Sequence, residues 1–192
     1  MSMVRQSSGS CPRPLVSVIT ATIPERKGML NECVRSVRSQ TVAEWEHLIL
    51  EDEEREGCSV IVNRMVARAK GEWLLPLADD DLILPACLSV LLSASEQADV
   101  VYSPPLVWGL PDPWWFFQVP PAIPSTALVR KTVWVEHGGY DETAGREEDR
   151  KLWTRMLEAG VRFVRADTEP TWVYRVHVGS KSMAGRPELA AA

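Results

Sequence analysis

The sequence lacks the signatures of several protein classes. No apolar run approaches the roughly 18 residues of a membrane-spanning helix, and no apolar signal-peptide stretch stands near the N-terminus. The four cysteines form no Cys-x-x-Cys pair, which argues against a zinc site of the finger type and for reduced thiols. A glycine-rich phosphate loop is also missing. These absences predict a soluble, cytoplasmic protein without a P-loop.

The composition is that of one ordinary globular domain. The chain has 192 residues, of which 45% are apolar, and this is enough to bury a sizeable core. A formal net charge of −5 and a pI near 5.3 argue against a general polyanion-binding surface. We expect a flexible N-terminal arm over residues 1–14, a single domain over 15–183 and a C-terminal tail over 184–192.

Strand-like and helix-like patterns alternate along most of the chain. Short apolar, β-branched runs predict strands over 15–21, 46–50, 73–77, 99–102, 161–165 and 172–176. Apolar residues at helical spacing predict helices over 27–40, 60–70, 85–95, 130–137 and 147–159. The stretch 103–124 contains seven prolines and predicts irregular structure. The alternation is typical of an α/β domain with a mostly parallel central sheet flanked by helices, whose ligands bind at the carboxyl ends of the strands.

Three consecutive aspartates, Asp79, Asp80 and Asp81, follow the third predicted strand. Adjacent carboxylates repel one another and raise each other's pKa values unless a cation lies between them. Mg²⁺ and Mn²⁺ take oxygen ligands and complete their coordination shells with water and substrate phosphates. The alternative is a solvated acidic turn before the helix that begins near Pro85. We favour the metal site.

Two further acidic positions stand where a ligand could reach them. Asp52 follows the second predicted strand, where its carboxylate can accept hydrogen bonds from a nucleobase or a ribose hydroxyl, although a solvated loop is the alternative. Glu147, Glu148 and Asp149 begin a predicted helix, where acids ordinarily act as caps. Beside a cation-bound donor, a carboxylate at this helix start is also suited to take a proton from an acceptor hydroxyl.

A basic group lies near the C-terminus. Arg175 and Lys181 flank His177 and suit a diphosphate leaving group, the arginine as a forked donor and the lysine as a point charge. A lone histidine is more often packed or surface-exposed than a ligand, so the sequence leaves the role of His177 open. His47 and His137 have no comparable neighbours, and we expect structural roles for both.

Four segments, in this order, resemble family-two inverting glycosyltransferases with the GT-A fold, and the resemblance covers residues 15–182. The segment VSVITATIPERKGMLNECVRSVRSQTVAEWEHLILED resembles the opening strand, nucleotide loop and first helix of that family. NRMVARAKGEWLLPLADDDLILP resembles the stretch that leads into its DXD motif, with Ala78 where many members have the first acid. HGGYDE and EEDRKLW resemble its acceptor side, and YRVHVGSKS resembles its closing motif.

The resemblance implies a role for each matching residue. Asp149 falls on the family's catalytic base, with Glu148 beside it. The implied metal ligands are Asp80, Asp81 and His177. The implied donor-binding residues are Thr20, Thr22, Pro24, Arg26, Asp52, Asn63, Asp79, Asp80, Arg175 and Lys181. The acceptor-side segment adds Gly139 and Tyr140.

The aromatic stretch from Trp108 to Phe117 is the expected acceptor wall, because aromatic faces stack on sugar rings. Trp114 and Trp115 are its expected contacts, and core packing is the alternative for at least half of these rings.

The resemblance implies an enzyme that moves a sugar from a nucleotide-sugar donor, a UDP-sugar by preference, to an acceptor hydroxyl with Mn²⁺ or Mg²⁺. We expect a carbohydrate acceptor, while a protein side chain or a modified nucleic-acid base would also be compatible, and homo-oligomer formation stays open. Two alternatives use the same aspartates. One is metal-dependent phosphoryl or nucleotidyl transfer, and the other is a non-catalytic protein that binds sugar nucleotides.

Overall fold

A seven-stranded sheet forms the centre of the structure. The computed structural model describes residues 3–7, 13–109, 123–166, 168–177 and 179–180. The strands are β1 (Val4–Ser7), β2 (Val16–Thr22), β3 (Trp45–Glu51), β4 (Trp73–Pro76), β5 (Leu82–Ile83), β6 (Val100–Tyr102), β7 (Pro105–Trp108), β8 (Leu128–Arg130), β9 (Phe163–Arg165) and β10 (Trp172–Arg175). The helices are α1 (Lys27–Arg38), α2 (Cys58–Val66), α3 (Cys87–Ser93), α4 (Lys131–Glu136) and α5 (Glu148–Glu158). Within these described ranges, no helix has the length and apolarity needed to cross a membrane.

The strand order in the large sheet is β1-β3-β2-β4-β8-β6-β9. Parallel pairings join β3 to β2, β2 to β4 and β6 to β9, whereas β1–β3, β4–β8 and β8–β6 are antiparallel. Five strands therefore point one way, and β1 and β8 point the other way. This confirms the predicted α/β domain with a mostly parallel sheet. We call the end of the sheet where β2, β3 and β4 finish the carboxyl edge, and the opposite end the amino edge.

Helices cover both faces of this sheet. α1 and α3 contribute to one core cluster, in which Cys33 and Leu88 are fully buried. α2, α4 and α5 contribute to a second cluster around Met65, Trp134 and Trp153. Their apolar side chains recur at helical spacing, so each helix turns one apolar face to the sheet. The five predicted helices are confirmed, with ends within four residues of the predicted ones. The three described cysteines are free thiols.

Strands β1 and β8 occur where the sequence predicts none. Val4 to Ser7 of β1 pair antiparallel with Ile49 to Glu46 of β3. The expectation of a loose arm is therefore wrong for residues 4–7, because the open edge of β3 offers unpaired backbone groups that β1 satisfies. The three residues of β8 are too few to show an alternating pattern in the sequence.

A second sheet, of order β5-β10-β7, lies beside the carboxyl edge. β10 pairs antiparallel with β5 and parallel with β7. The expectation of irregular structure over 103–124 is wrong for β7, because Pro105 stands at the first position of an edge strand, where a missing N–H is tolerated. β5 follows Asp81 directly and β10 ends at Arg175, so this sheet brings the C-terminal motif to the aspartates.

Candidate functional site

The three aspartates form a buried turn at the carboxyl edge. Asp79, Asp80 and Asp81 are 3%, 7% and 1% exposed. The Asp81 amide donates to the carbonyl of the exposed Ala78 (3.2 Å), which closes the turn. Burying adjacent carboxylates costs free energy unless cations or hydrogen-bond donors compensate their charge. The groups that surround the turn therefore determine what it can bind.

Asp79 is held by the loop that follows β2. The Thr22 hydroxyl donates to Asp79 Oδ2 (2.7 Å), and Arg26 Nη1 donates to Oδ1 (2.8 Å). Burial raises the pKa of Asp79, and the hydrogen bonds from Arg26 and Thr22 oppose that rise. Arg26 belongs to a single 3-10 turn, Pro24–Arg26, which contains no buried residue. Two of the predicted donor-loop residues, Thr22 and Arg26, thus contact the aspartates directly.

Asp80 faces the closing motif. Its Oδ2 atom lies 3.0 Å from Arg26 Nη1 and 3.0 Å from His177 Nε2. The Gly179 amide donates to His177 Nδ1 (3.1 Å), so Nδ1 is the accepting nitrogen. This pattern assigns the ring proton to Nε2, which donates it to Asp80. His177 is therefore joined to an aspartate of the turn.

Asp81 and Arg175 connect the turn to β10. The Arg175 amide donates to Asp81 Oδ1 (2.8 Å), and its Nε donates to the Asp80 carbonyl. Burial raises the pKa of Asp81 well above its ordinary value, and the nearby charge of Asp80 adds to the rise. Arg175 Nη1 donates to Glu32 of α1, whereas Nη2 is buried and has no acceptor among the described residues. The site thus contains one buried donor that a ligand could engage.

The aspartates already accept hydrogen bonds, and the described part of the chain contains no group of three or more metal-ligating side chains. Asp80 supplies a carboxylate, a ligand type that suits Mn²⁺. His177 has its ring proton on Nε2 and accepts the Gly179 amide on Nδ1, so in this tautomer it has no nitrogen lone pair for a cation. A cation that bridges a diphosphate needs few protein ligands. The residues therefore fit a divalent cation shared with a bound diphosphate, with Asp80 as the protein ligand and His177 as the hydrogen-bond partner that orients it. Asp81 is turned to the Arg175 amide.

Asp52 stands at the end of β3 and organises the next loop. Its Oδ1 and Oδ2 atoms accept hydrogen bonds from the amides of Glu56 and Gly57, both at 2.8 Å. Thr20, which the resemblance assigns to donor binding, is fully buried within β2. Its hydroxyl donates to the Leu77 carbonyl and pairs with His47, whose pKa burial lowers to about 3. Thr20 therefore supports the sheet from inside and has no open face toward a ligand.

Asn63, Gly139 and Tyr140 contact one another. Asn63 Nδ2 donates to the Tyr140 carbonyl (2.8 Å), and Asn63 Oδ1 accepts from the Tyr140 amide (3.0 Å). Gly139 has a φ of 66°, and a Cβ there would lie 2.7 Å from Asn63 Oδ1. The Tyr140 ring is 4% exposed and packs on Trp134 with 4.7 Å between centroids. These contacts give the three residues a structural role, since they join α2 to the turn after α4, and their assignment to the donor and the acceptor stays a prediction.

Glu148 and Asp149 begin α5 on the side of the carboxyl edge. β9 runs in the same direction as β4. Four residues join the end of α5 to the start of β9. Since α5 packs on the sheet and ends at the start of β9, its N-terminus points to the carboxyl edge. Glu148 is 8% exposed and Asp149 is half-buried. Burial and then the charge of Asp149 raise the pKa of Tyr140, which indicates that Asp149 lies near that ring.

Three predicted contacts, Trp114, Trp115 and Lys181, lie outside the described residues. Sequence reasoning missed Glu32 and Ser180. The Ser180 hydroxyl accepts a hydrogen bond from the His177 amide (2.9 Å) and so shapes the closing motif. Its position within that motif is a sequence feature that could have indicated this role. Glu32 is one acid of a solvated helix face, 143 positions from its partner Arg175, so no spacing could have indicated the pair.

Solved structures with the same architecture identify the fold. TarS of S. aureus in complex with UDP-GlcNAc superposes with a TM-score of 0.70, at 16% identity over 88% of this chain. A second TarS structure gives 0.71, at 16% identity over 85% of this chain. The mannosyltransferase PcManGT from Pyrobaculum calidifontis, in complex with GDP-Man and Mn²⁺, gives 0.65, at 17% identity over 88% of this chain. The chain has the GT-A fold of these glycosyltransferases, as predicted.

This chain spans only part of those proteins, namely 60%, 37% and 58% of their respective lengths. No family model matches the sequence, and no curated protein matches it. Identities this low establish the fold, and a fold hosts many activities. The function must therefore be argued from the site.

Proposed function

We propose that the protein is an inverting glycosyltransferase that moves a sugar from a nucleotide-sugar donor, a UDP-sugar by preference, to an acceptor hydroxyl. The observation that carries this proposal is a junction at the carboxyl edge of a GT-A fold, where the half-buried Arg26, Arg175 and His177 contact the buried Asp79 and Asp80. Open α/β sheets bind their ligands at that edge. Two similar structures hold UDP-GlcNAc, and GDP-Man with Mn²⁺, which supports a nucleotide-sugar donor.

Arg175 is the residue best suited to the donor diphosphate. Its Nη2 atom is buried without an acceptor among the described residues, and leaving such a donor unpaired costs free energy. Its Nε and Nη1 atoms stay on the Asp80 carbonyl and on Glu32, which fix the orientation of the guanidinium. A phosphate oxygen is the partner that this geometry favours. Lys181 is expected to add a second positive charge.

The nucleoside would lie between the loop after β2 and the loop after β3. Asp52 uses one lone pair of each carboxylate oxygen for the Glu56 and Gly57 amides and keeps a second on each. A uracil N–H or a ribose hydroxyl could donate to that remaining capacity. Asp52 also donates its own amide to the Thr22 carbonyl (2.8 Å), so the two loops are joined beside the aspartates.

Asp80, oriented by the hydrogen bond from His177, would hold a divalent cation that would neutralise negative charge on the leaving diphosphate. Asp149 then has the role of general base. It is half-buried at the start of α5, so solvent and an acceptor can reach it, and it would take the proton of the acceptor hydroxyl. The oxygen would attack the anomeric carbon opposite the departing diphosphate, and that single displacement inverts the configuration.

Trp108 supports a carbohydrate acceptor. It is 61% exposed at the end of β7, in register with Arg175 of β10. Residues in register on neighbouring strands carry their side chains on the same face of a sheet. An exposed indole therefore stands on the Arg175 side of the second sheet, where its face could stack on a pyranose ring.

The test begins with slow donor hydrolysis, which requires no known acceptor. UDP-GlcNAc, UDP-Glc and GDP-Man are incubated with the protein and Mn²⁺, and release of the nucleoside diphosphate is measured. Asp149→Asn should lower this release about 100-fold or more, as removal of a general base does. Donor affinity, measured by calorimetry, should stay within about twofold, because the base acts mainly in the transition state.

Glu147→Gln is the matched control. Glu147 precedes the same helix, is exposed and pairs only with Arg150 in the described contacts (2.6 Å), so its loss should leave hydrolysis unchanged. Equal losses of donor affinity and turnover in Asp149→Asn would refute the base assignment. No diphosphate release from any of the three donors, in protein that is folded by circular dichroism, would refute the proposed function with these donors.

A further inference from the structure

The guanidinium of Arg26 occupies the place between two aspartates. Its Nη1 atom lies 2.8 Å from Asp79 Oδ1 and 3.0 Å from Asp80 Oδ2. Its Nη2 atom donates to the Gly179 carbonyl at 2.6 Å. One side chain from the loop after β2 thus compensates the charge of two buried carboxylates and also holds the segment that follows His177.

The accepting capacity of Asp80 Oδ2 is used in this arrangement. It accepts from Arg26 Nη1 and from His177 Nε2, and a carboxylate oxygen offers two lone-pair directions. A divalent cation binds such an oxygen directly, at about 2.1 Å, and takes one of those directions. A cation can therefore ligate Asp80 Oδ2 only after one of the two donors has moved away.

Arg26 is the donor that is freer to move. The turn that carries it contains no buried residue, and its side chain is 23% exposed, so ionic contacts rather than apolar packing hold it. His177 is fixed on two further sides, because the Gly179 amide donates to its Nδ1 and its own amide donates to Ser180. A diphosphate offers Arg26 the oxygens that a guanidinium fork matches best.

We propose that Arg26 is a resident counter-ion of Asp79 and Asp80, and that it exchanges these carboxylates for the donor diphosphate, so that the divalent cation binds tightly only together with the nucleotide. The proposal rests on the proposed function, since it requires a diphosphate ligand at this site. Without nucleotide, the cation competes with an arginine that is already in place. With nucleotide, the arginine moves to phosphate and leaves Asp80 Oδ2 to the metal.

The test measures Mn²⁺ affinity without any turnover. Free Mn²⁺ is quantified by electron paramagnetic resonance during titration of the full chain, with and without saturating UDP. Wild-type protein should bind Mn²⁺ weakly in the absence of UDP. Saturating UDP should raise its Mn²⁺ affinity at least about tenfold, a typical coupling between two ligands. In the absence of UDP, Arg26→Gln should bind Mn²⁺ about tenfold more tightly than wild type does. UDP should raise the Mn²⁺ affinity of this variant by a smaller factor than it does in wild type.

Two further variants keep the result interpretable. Arg26→Lys retains the positive charge and should bind Mn²⁺ alone nearly as weakly as wild type. Arg162→Gln removes an exposed arginine that precedes β9 and whose described partner is Asp99 (3.4 Å), and it should leave the Mn²⁺ affinity unchanged both with and without UDP. Thermal unfolding by circular dichroism establishes that each variant is folded before the titrations are compared.

Equal Mn²⁺ affinities of folded wild type and Arg26→Gln in the absence of UDP would overturn the counter-ion proposal. A UDP effect of the same size in both proteins would overturn it as well, because the arginine would then not be the group that UDP displaces. Failure of the proposed function is a separate result, namely that no sugar nucleotide releases its diphosphate while the Mn²⁺ titrations still distinguish the variants.

Discussion

The two ends of β2 carry similar polar clusters. At the amino edge, the Ser17 hydroxyl and the Lys70 amide donate to Glu46 Oε1 (2.7 and 2.6 Å), and Arg5 contacts Oε2 at 2.9 Å. At the carboxyl edge, Thr22 and Arg26 make the corresponding contacts with Asp79. Each end therefore combines a hydroxyl of β2, an arginine and a buried carboxylate.

The ends differ in how completely charge is compensated. Both oxygens of Glu46, the buried acid of the amino-edge cluster, have donors. At the carboxyl edge two more acids adjoin Asp79, the pKa of Asp81 is raised well above its usual value, and Arg175 Nη2 has no described acceptor. Proteins tolerate such local imbalance where a ligand completes the site. The charge of the amino edge is compensated within the chain, whereas the carboxyl edge keeps the imbalance that we expect a ligand to compensate.

The largest expected effect is at the amino edge. A Cβ at Gly71 would lie 2.5 Å from the Ser17 amide nitrogen and 2.8 Å from the Val16 carbonyl carbon, which are backbone atoms that cannot rotate away. Gly71→Ala should therefore lower the free energy of unfolding by about 3 kcal/mol, at the upper end of the cost of overpacking. Urea unfolding followed by circular dichroism measures the change.

Gly28→Ala is the matched control for that prediction. Gly28 lies in the first turn of α1, where an added Cβ would meet no heavy atom within 4 Å, so alanine should stabilise the helix slightly. A Gly71→Ala protein as stable as wild type would show that β2 and β4 can separate at their amino ends, and the contrast between the two edges would weaken.

The next effect in size concerns Glu46. Glu46→Gln keeps an oxygen for Ser17 and Lys70 but replaces the carboxylate oxygen that faces Arg5 with an amide group. We expect a loss of about 2 kcal/mol, typical of a hydrogen bond to a charged group, while nucleotide-dependent Mn²⁺ binding stays unchanged. The exposed neighbour Glu44, as Glu44→Gln, should affect neither quantity. Weakened Mn²⁺ binding in Glu46→Gln would mean that the two edges are coupled.

This contrast also explains what could be predicted from the sequence. The strands and helices can be predicted from the sequence because the spacing of apolar residues is a local pattern. The acids of the carboxyl edge can be predicted because they directly follow predicted strands. The Arg5–Glu46 ion pair cannot be predicted in this way, because it forms only when β1 pairs with the edge of β3. Residues 1–14 show no strand pattern in the sequence. Asn63 was assigned to the donor by motif position, whereas its amide bonds to Tyr140, 77 positions away, are a property of the folded chain alone.

The smallest expected effect is an increase in the free energy of unfolding, whereas the two amino-edge variants should lower it. This opposite sign is the clearest test of the difference between the two edges. Asp81 is 1% exposed, and its raised pKa means that ionising it in the folded protein costs free energy. That cost appears as the pH rises above the ordinary aspartate value of 3.8. Asp81→Asn keeps an oxygen for the Arg175 amide and removes the charge. The variant should be more stable than wild type by about 1 kcal/mol at pH 7, as substitutions at strained functional sites often are, and should lose that advantage near pH 3.

Asp141 supplies the control for this pH dependence. Thr143 and Lys151 lower its pKa, so its charge stabilises the folded state above the ordinary aspartate pKa. Asp141→Asn should therefore lower stability at pH 7 and match wild type in acid, the reverse of Asp81→Asn. Urea unfolding of both variants at pH 3 and pH 7 provides the comparison. If Asp81→Asn proved less stable than wild type at pH 7, Asp81 would be a required partner of Arg175, and the carboxyl edge would be as fully compensated as the amino edge.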